Sequence, residues 1–155
     1  MVSGRFRHNA PMESHPLKRS EILNVLVRKG PYPPGPLAIY AALYQSDHGG
    51  VPLRELVDRV RWGDEASFRK VLQGISRRVG SRTPRVVGGY RALLAERFER
   101  GTTYIALRPE ARDAINASPE LDTFLRTPVV DILATRNPAN PQGDKSRWLR
   151  LTLRR

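Results

Sequence analysis

Between Asp64 and Val79 the chain reads DEASFRKVLQGISRRV, and the fold turns on how this stretch coils. Phe68, Val71, Leu72, Ile75 and Val79 fall at i, i+3, i+4, i+7 and i+11, so at about 100° per residue they share one narrow apolar stripe. Such a stripe has to face a core. The opposite side gathers Arg69, Lys70, Gln73 and Arg77, with Arg78 on its flank and no acidic residue between them. Asp64 stands where its carboxylate can accept first-turn N–H bonds, and Glu65 adds negative charge where the helix dipole favours it. An amphipathic helix solvates its outer face with Arg and Lys as a matter of course, so the flanking sequence decides whether this face means more.

Upstream, Leu53, Leu56, Val57 and Val60 recur at helical spacing, which predicts a helix over 53–60. Arg61-Trp62-Gly63-Asp64 then supplies the glycine and capping residue that a tight helix–helix turn needs. Before it, Val51-Pro52 reads as a brief extended piece and Ser46 to Gly50 as a turn. Leu37 to Gln45 reads as a helix with Pro36 at its first position, and it is apolar over so much of its circumference that it belongs at the centre of the core. Pro31, Pro33, Pro34, Gly35 and Pro36 form a stiff connector from a short helix that runs from Ser20 to about Lys29. Downstream, Gly80 to Arg85 reads as a loop that holds Arg82 and Arg85 near the helix C-terminus. Val86 to Arg97 is ambiguous, since Ala92 to Ala95 suit a helix and Gly88-Gly89 oppose one. Strand is favoured from Leu93 to Glu99, followed by a reversal at Glu99-Arg100-Gly101-Thr102 and a returning strand, Thr103 to Leu107. Helices then follow from Pro109 to about Ala117 and from Ser118, with 128–133 either helical or extended.

The succession helix, short strand, helix, turn, helix, hairpin resembles the winged helix-turn-helix family of DNA-binding domains. The likeness covers about Pro36 to Ile115 and is carried by PLAIYAALYQS, GGVPLRELVDRV, RWGDEASFRKVLQGISRRV and ALLAERFERGTTYIALRPEARDAI. It implies a mainly α fold with a small β-hairpin, the wing, and additional N- and C-terminal helices. It also implies that residues 64–79 form a recognition helix for the major groove of double-stranded DNA, and that the 93–108 hairpin touches the minor groove or the backbone. Arg69, Gln73 and Arg77 are then the base-reading candidates, since Gln pairs with adenine edges and Arg with guanine edges. Lys70, Arg78, Arg82, Arg85, Arg97 and Arg100 are the candidates for the DNA backbone, with Arg108 nearby.

Composition bounds the alternatives. A chain of 155 residues can bury a core without staples, and with no cysteine it can have no disulfide framework, zinc ribbon or thiol nucleophile. No metal and no cofactor is expected. The formal charge of +12 calls for an anionic partner, and its placement is uneven. Residues 50–109 carry a net +7, whereas residues 110–134 carry −3 and so are unsuited to facing phosphates. That acidic stretch is expected to complete the core or to form a homodimer contact. No apolar run has the length of a bilayer span, which leads to the expectation of no membrane partner and a cytoplasmic protein, nucleoid-associated in a bacterial host.

The ends divide by composition into a flexible basic arm (1–19), a linker (135–147) and a basic amphipathic segment (148–155), around a winged-helix domain with flanking helices (20–134). In the last segment Leu149, Leu151 and Leu153 alternate with polar residues, which suits an added strand better than a tail lying on nucleic acid. No catalytic spacing is found. His48 beside Asp47 sits in a glycine turn, and Glu96 and Glu99 point to opposite faces of a strand, so a paired-carboxylate site is not expected there. These residues therefore lead to a sequence-preferring DNA-binding protein of regulatory type and not an enzyme. The alternative is a winged-helix module that binds protein or RNA within a larger complex.

Overall fold

The computed structural model describes residues 17–27, 31–61, 63–83, 88–134 and 149–150. The fold is mainly helical with a small three-stranded antiparallel sheet. In chain order the elements are α1 (Arg19–Leu26), β1 (Pro31–Tyr32), α2 (Pro34–Tyr44), β2 (Val51–Pro52), α3 (Leu53–Arg59) and α4 (Glu65–Arg82). A 3-10 turn (Gly89–Ala92), β3 (Leu94–Glu99), β4 (Thr102–Leu107), α5 (Pro109–Asn116), α6 (Pro119–Phe124), α7 (Val129–Leu133) and β5 (Leu149–Arg150) complete it.

The core is built around α2, where every residue from Leu37 to Tyr44 is buried. An all-apolar helix has no face to give to solvent, so it must be enclosed. Here α4, α7 and β4 all pack against it. It starts at Pro34, three residues before the predicted start at Leu37, and the reason is local. The first turn of a helix has no intrahelical use for its N–H groups, so Pro34 and Pro36 both fit there, and Leu37 N–H makes the first bond back to Pro33 O at 3.4 Å.

On α4 the predicted stripe is the buried one: Phe68, Val71, Leu72, Ile75 and Val79 all face the core. Asp64 caps the helix by accepting the Ser67 N–H at 2.8 Å. The predicted loop from Gly80 is corrected, since α4 continues through Gly80 and Ser81 to Arg82. Thr83, one further step of four along the stripe, is buried and closes the helix, its N–H and its hydroxyl both donating to Val79 O at 2.8 and 2.7 Å. Burial at Thr83 thus overrides the cost of about 1 kcal/mol that a helical glycine carries.

The sheet has the order β2-β4-β3. Strands β3 and β4 pair in register from Leu94↔Leu107 to Glu99↔Thr102, and β2 adds on the far side of β4 through Val51↔Ile105. One face of the hairpin carries Leu94, Ile105 and Leu107 into the core. The helical alternative at Ala92 to Ala95 is resolved by the 3-10 turn ending at Ala92 and the strand beginning at Leu94.

The acidic stretch folds onto the same core, with Ala111, Ala114, Ile115, Leu121, Leu125 and Ile132 buried and Phe124 packed against it. Residues 128–133 take the helical option as α7. Leu17, which composition assigns to the N-terminal arm, is buried in the core, and α1 already begins at Arg19. Of the C-terminal segment, Leu149–Arg150 pairs antiparallel with Pro31–Tyr32. Residues 1–16 and the whole predicted linker lie outside the described residues.

A polar knot fastens the acidic helices to the end of α2. The buried Tyr44 donates its phenolic proton to Asp122, which also accepts from Arg126 Nε at 3.1 Å. Arg112 spans the carbonyls of Leu43 and Tyr44 at 2.9 and 3.0 Å, satisfying the helix C-terminus with charge of the favoured sign. Burial, followed by the bond to Asp122, raises the Tyr44 pKa. The bonds from Tyr44 and then Arg126 hold the Asp122 carboxyl below its usual range.

Because folded Asp122 titrates below a free carboxylate, its contribution is full above about pH 4 and is lost as pH falls through its folded pKa. Folded Tyr44 titrates above a free phenol, so its contribution is full below about pH 10 and is lost as pH rises through its folded pKa. Tyr44→Phe is expected to lower stability by an amount that is constant between those limits and shrinks beyond each. Urea titrations of both proteins across pH would show this, and a difference independent of pH would contradict it.

Candidate functional site

The outer face of α4 is the only long helical surface among the described residues with a continuous cationic row. Lys70, Gln73 and Arg77 are exposed, and Arg69 is half-buried at the rim. The acidic residues of this helix are confined to its N-terminal end, Asp64 at the cap and Glu65 in the first turn. Asp64 is held in its charged form by the Ser67 N–H, the leading cause of its lowered pKa. Glu65 reaches Arg69 Nε at 3.3 Å, a solvent-exposed i,i+4 pair of the kind that contributes only about 0.3–0.5 kcal/mol. An anion approaching Arg69 therefore displaces little. Arg77 lies back over Gly74, whose Cα sits where an added Cβ would be 3.7 Å from Arg77 Nη2.

Arg78 does not belong to that row. Its Nε and Nη2 donate to Val25 O and Val27 O, both at 2.5 Å, and so close the C-terminal end of α1. Helical spacing alone could not separate it from Arg77, because only the tertiary position of α1 distinguishes them. Arg82 is exposed in the last turn of α4, while Arg85 lies outside the described residues.

A second element is set against the flank of α4, on the Arg69 side of that row, by a latch. The Tyr90 N–H donates to Ser76 Oγ on α4 at 2.9 Å, and the Tyr90 hydroxyl donates to Glu96 Oε1 on β3 at 2.8 Å. Arg91 Nε pairs with the same carboxylate oxygen at 3.0 Å. Gly89 makes the approach possible: its φ is 59°, and a Cβ there would come within 2.6 Å of Ser76 Oγ. Burial raises the Tyr90 pKa, with the Glu96 bond next, so the phenol keeps its proton as the donor the latch requires. Sequence reasoning missed this latch. Gly88-Gly89 is its one visible signal in the sequence.

The hairpin ends in a two-residue turn, Arg100 at φ 52° and Gly101 at φ 80°. Positive φ at both positions marks the turn type whose twist matches paired strands. Arg100 is exposed there, away from α4 along the chain but joined to it through the latch. Arg97 is more engaged: its guanidinium lies 4.3 Å from the centre of the Tyr104 ring, donates to Gly49 O at 3.0 Å and pairs with Glu99. Arg108 Nε donates to Arg91 O at 2.5 Å, bracing the base of the hairpin.

His48 and Asp47 are exposed in their turn, and Glu96 and Glu99 are each held by a different arginine, Arg91 and Arg97. Among the described residues no group of three His, Asp or Glu side chains could hold a metal ion, and no helix is long and apolar enough to cross a membrane. Comparison with family models, with curated proteins and with solved structures finds no match to this chain.

Left-handed backbone at Arg100 has a measurable consequence. An L-residue with a Cβ is strained there unless, like Asn, its short polar side chain bonds locally. Arg100→Asn is expected to raise stability in chemical denaturation by up to about 1 kcal/mol while removing an exposed charge. A destabilised variant would show that Arg100 is held by contacts its exposure does not suggest.

Proposed function

We propose that this chain is a winged helix-turn-helix protein that binds double-stranded DNA with sequence preference, in a regulatory role, by laying α4 in the major groove. The observation that carries the reading is the exposed row of Lys70, Gln73 and Arg77, with Arg69 at its rim, on a helix whose other side is locked into the core. The order of elements supports it: β2 falls between α2 and α3, α3 and α4 form the helix pair, and the β3–β4 hairpin follows as the wing. So does the sheet order β2-β4-β3, which leaves the wing at an edge, where its turn can reach a neighbouring groove or phosphate.

In this reading Arg69, Gln73 and Arg77 meet base edges, Arg by the paired bonds it can make to guanine and Gln by those it can make to adenine. Lys70, Arg82 and Arg100 hold phosphates, joined from the sequence by Arg85. Arg78 is left out because the carbonyls of α1 occupy it, and Arg97 supports the wing more than it contacts DNA. The acidic helices α5 to α7 sit on the core as a flank that phosphates would avoid, and a homodimer contact through 110–134 remains compatible with the exposed Val130 on α7.

Selection from a randomised duplex pool, followed by affinity measurements on the enriched site, tests this. Arg69→Ala and Arg77→Ala are each expected to weaken that site by ~1–3 kcal/mol and to relax preference at one position. Lys70→Ala should weaken all sequences alike and make the salt dependence shallower by about one phosphate contact. A pool that enriches nothing, with duplex affinity indifferent to salt, would overturn the proposal in favour of a protein-binding or RNA-binding module.

A further inference from the structure

Phe98 is 74% exposed, the most exposed large apolar side chain among the described residues. Its place in the hairpin makes that exposure informative. Side chains alternate along β3, so Leu94, Glu96 and Phe98 share one face, and their cross-strand partners Leu107, Ile105 and Thr103 share it too. This is the face that enters the core at Leu94, Ile105 and Leu107. Phe98 therefore continues the core-facing row beyond the edge of the body, on a part of the hairpin that overhangs. Glu96, two residues nearer the body on that face, is the residue latched through Tyr90 to Ser76 of α4.

We propose that Phe98 is a wedge that enters a base step of the bound duplex from the minor groove and kinks it. The proposal deepens the DNA-binding reading and rests on it. Duplex DNA is the occupant that the surroundings fit. Phe98 stands two residues from the exposed Arg100 at the turn, and the overhanging face is tied to the helix that bears the cationic row. The nearest carboxylates are neutralised, Glu99 by Arg97 and Glu96 by Arg91, so neither repels a phosphate strand. An aromatic ring presented beside cations is the chemistry by which apolar wedges part stacked bases while arginines hold the flanking backbone. The latch matters to this action, because a wedge on a hairpin free to swing would yield before the base stack did.

The test uses the full chain and duplexes of about 30 base pairs with a central TA step, the kind most easily unstacked. One duplex carries a fluorophore pair at its ends and another carries 2-aminopurine at the step. Wild-type protein should bend the first by ~20–90° and brighten the second. Phe98→Ala should still bind with steep salt dependence but give neither signal, and Phe98→Leu should restore part of both. Circular dichroism and thermal melting confirm that the variants fold. If wild type binds without bending or brightening, or if Phe98→Ala gives both signals in full, the wedge is refuted while the DNA-binding reading stands. If wild type binds neither duplex at any salt concentration, both fall. Loss of self-association in Phe98→Ala with unchanged DNA signals would instead assign the face to a second copy of this chain.

Discussion

A helix with no polar side cannot lie at a surface, and α2 is such a helix. The other elements cover it, with α4, α7 and β4 all packed against it. Buried leucine, isoleucine or phenylalanine side chains each contribute about 1.5–3 kcal/mol, so turning α4 over, which would expose Phe68, Leu72, Ile75 and Val79, would forfeit several times that. The orientation of the cationic row is thus a by-product of packing. Arginine and lysine face outward on α4 because the core fixes which side faces inward.

Orientation alone does not build a two-part surface. The hairpin has to stand at a fixed angle to α4, and the hydrophobic row Leu94, Ile105 and Leu107 anchors only its base. The link from Ser76 through Tyr90 to Glu96 fixes the rest, with Gly89 supplying the close approach. Each bond joins groups at least partly withdrawn from water, where an unmade bond costs more than a made one gains. The Tyr44 knot plays the corresponding part at the C-terminal end of α2, holding the acidic helices to the body. The result is a molecule with a basic face on α4 and an acidic flank packed on the same core.

Much of this was legible in the sequence wherever a periodic apolar pattern met a clear stop. The α4 stripe, its Asp64 cap, the central place of α2 and the β3–β4 pairing all follow from spacing and turn chemistry. Legibility failed where a long-range contact outweighed a local preference. Gly80 and Ser81 continue a helix because Thr83 is buried beyond them. The early start of α2 at Pro34 is instead a local matter, since a first turn needs no N–H bonds. Within the candidate interface, Arg77 and Arg78 are neighbours in sequence with opposite fates, since Arg78 meets the carbonyls of Val25 and Val27 some 50 residues earlier. The residues of the latch carry no motif at all: serine, tyrosine and glutamate acquire their roles only when the 3-10 turn lies against α4.

A polyanion that meets α4 on its outward face perturbs that face first. Amide chemical shifts of isotopically labelled protein, followed as a duplex is added, test it residue by residue. Shifts are expected to concentrate on Arg69 to Arg77 and on the Arg100-Gly101 turn, with α5 to α7 quiet. Shifts confined to the acidic helices, or none along α4 at duplex concentrations that saturate binding, would contradict it.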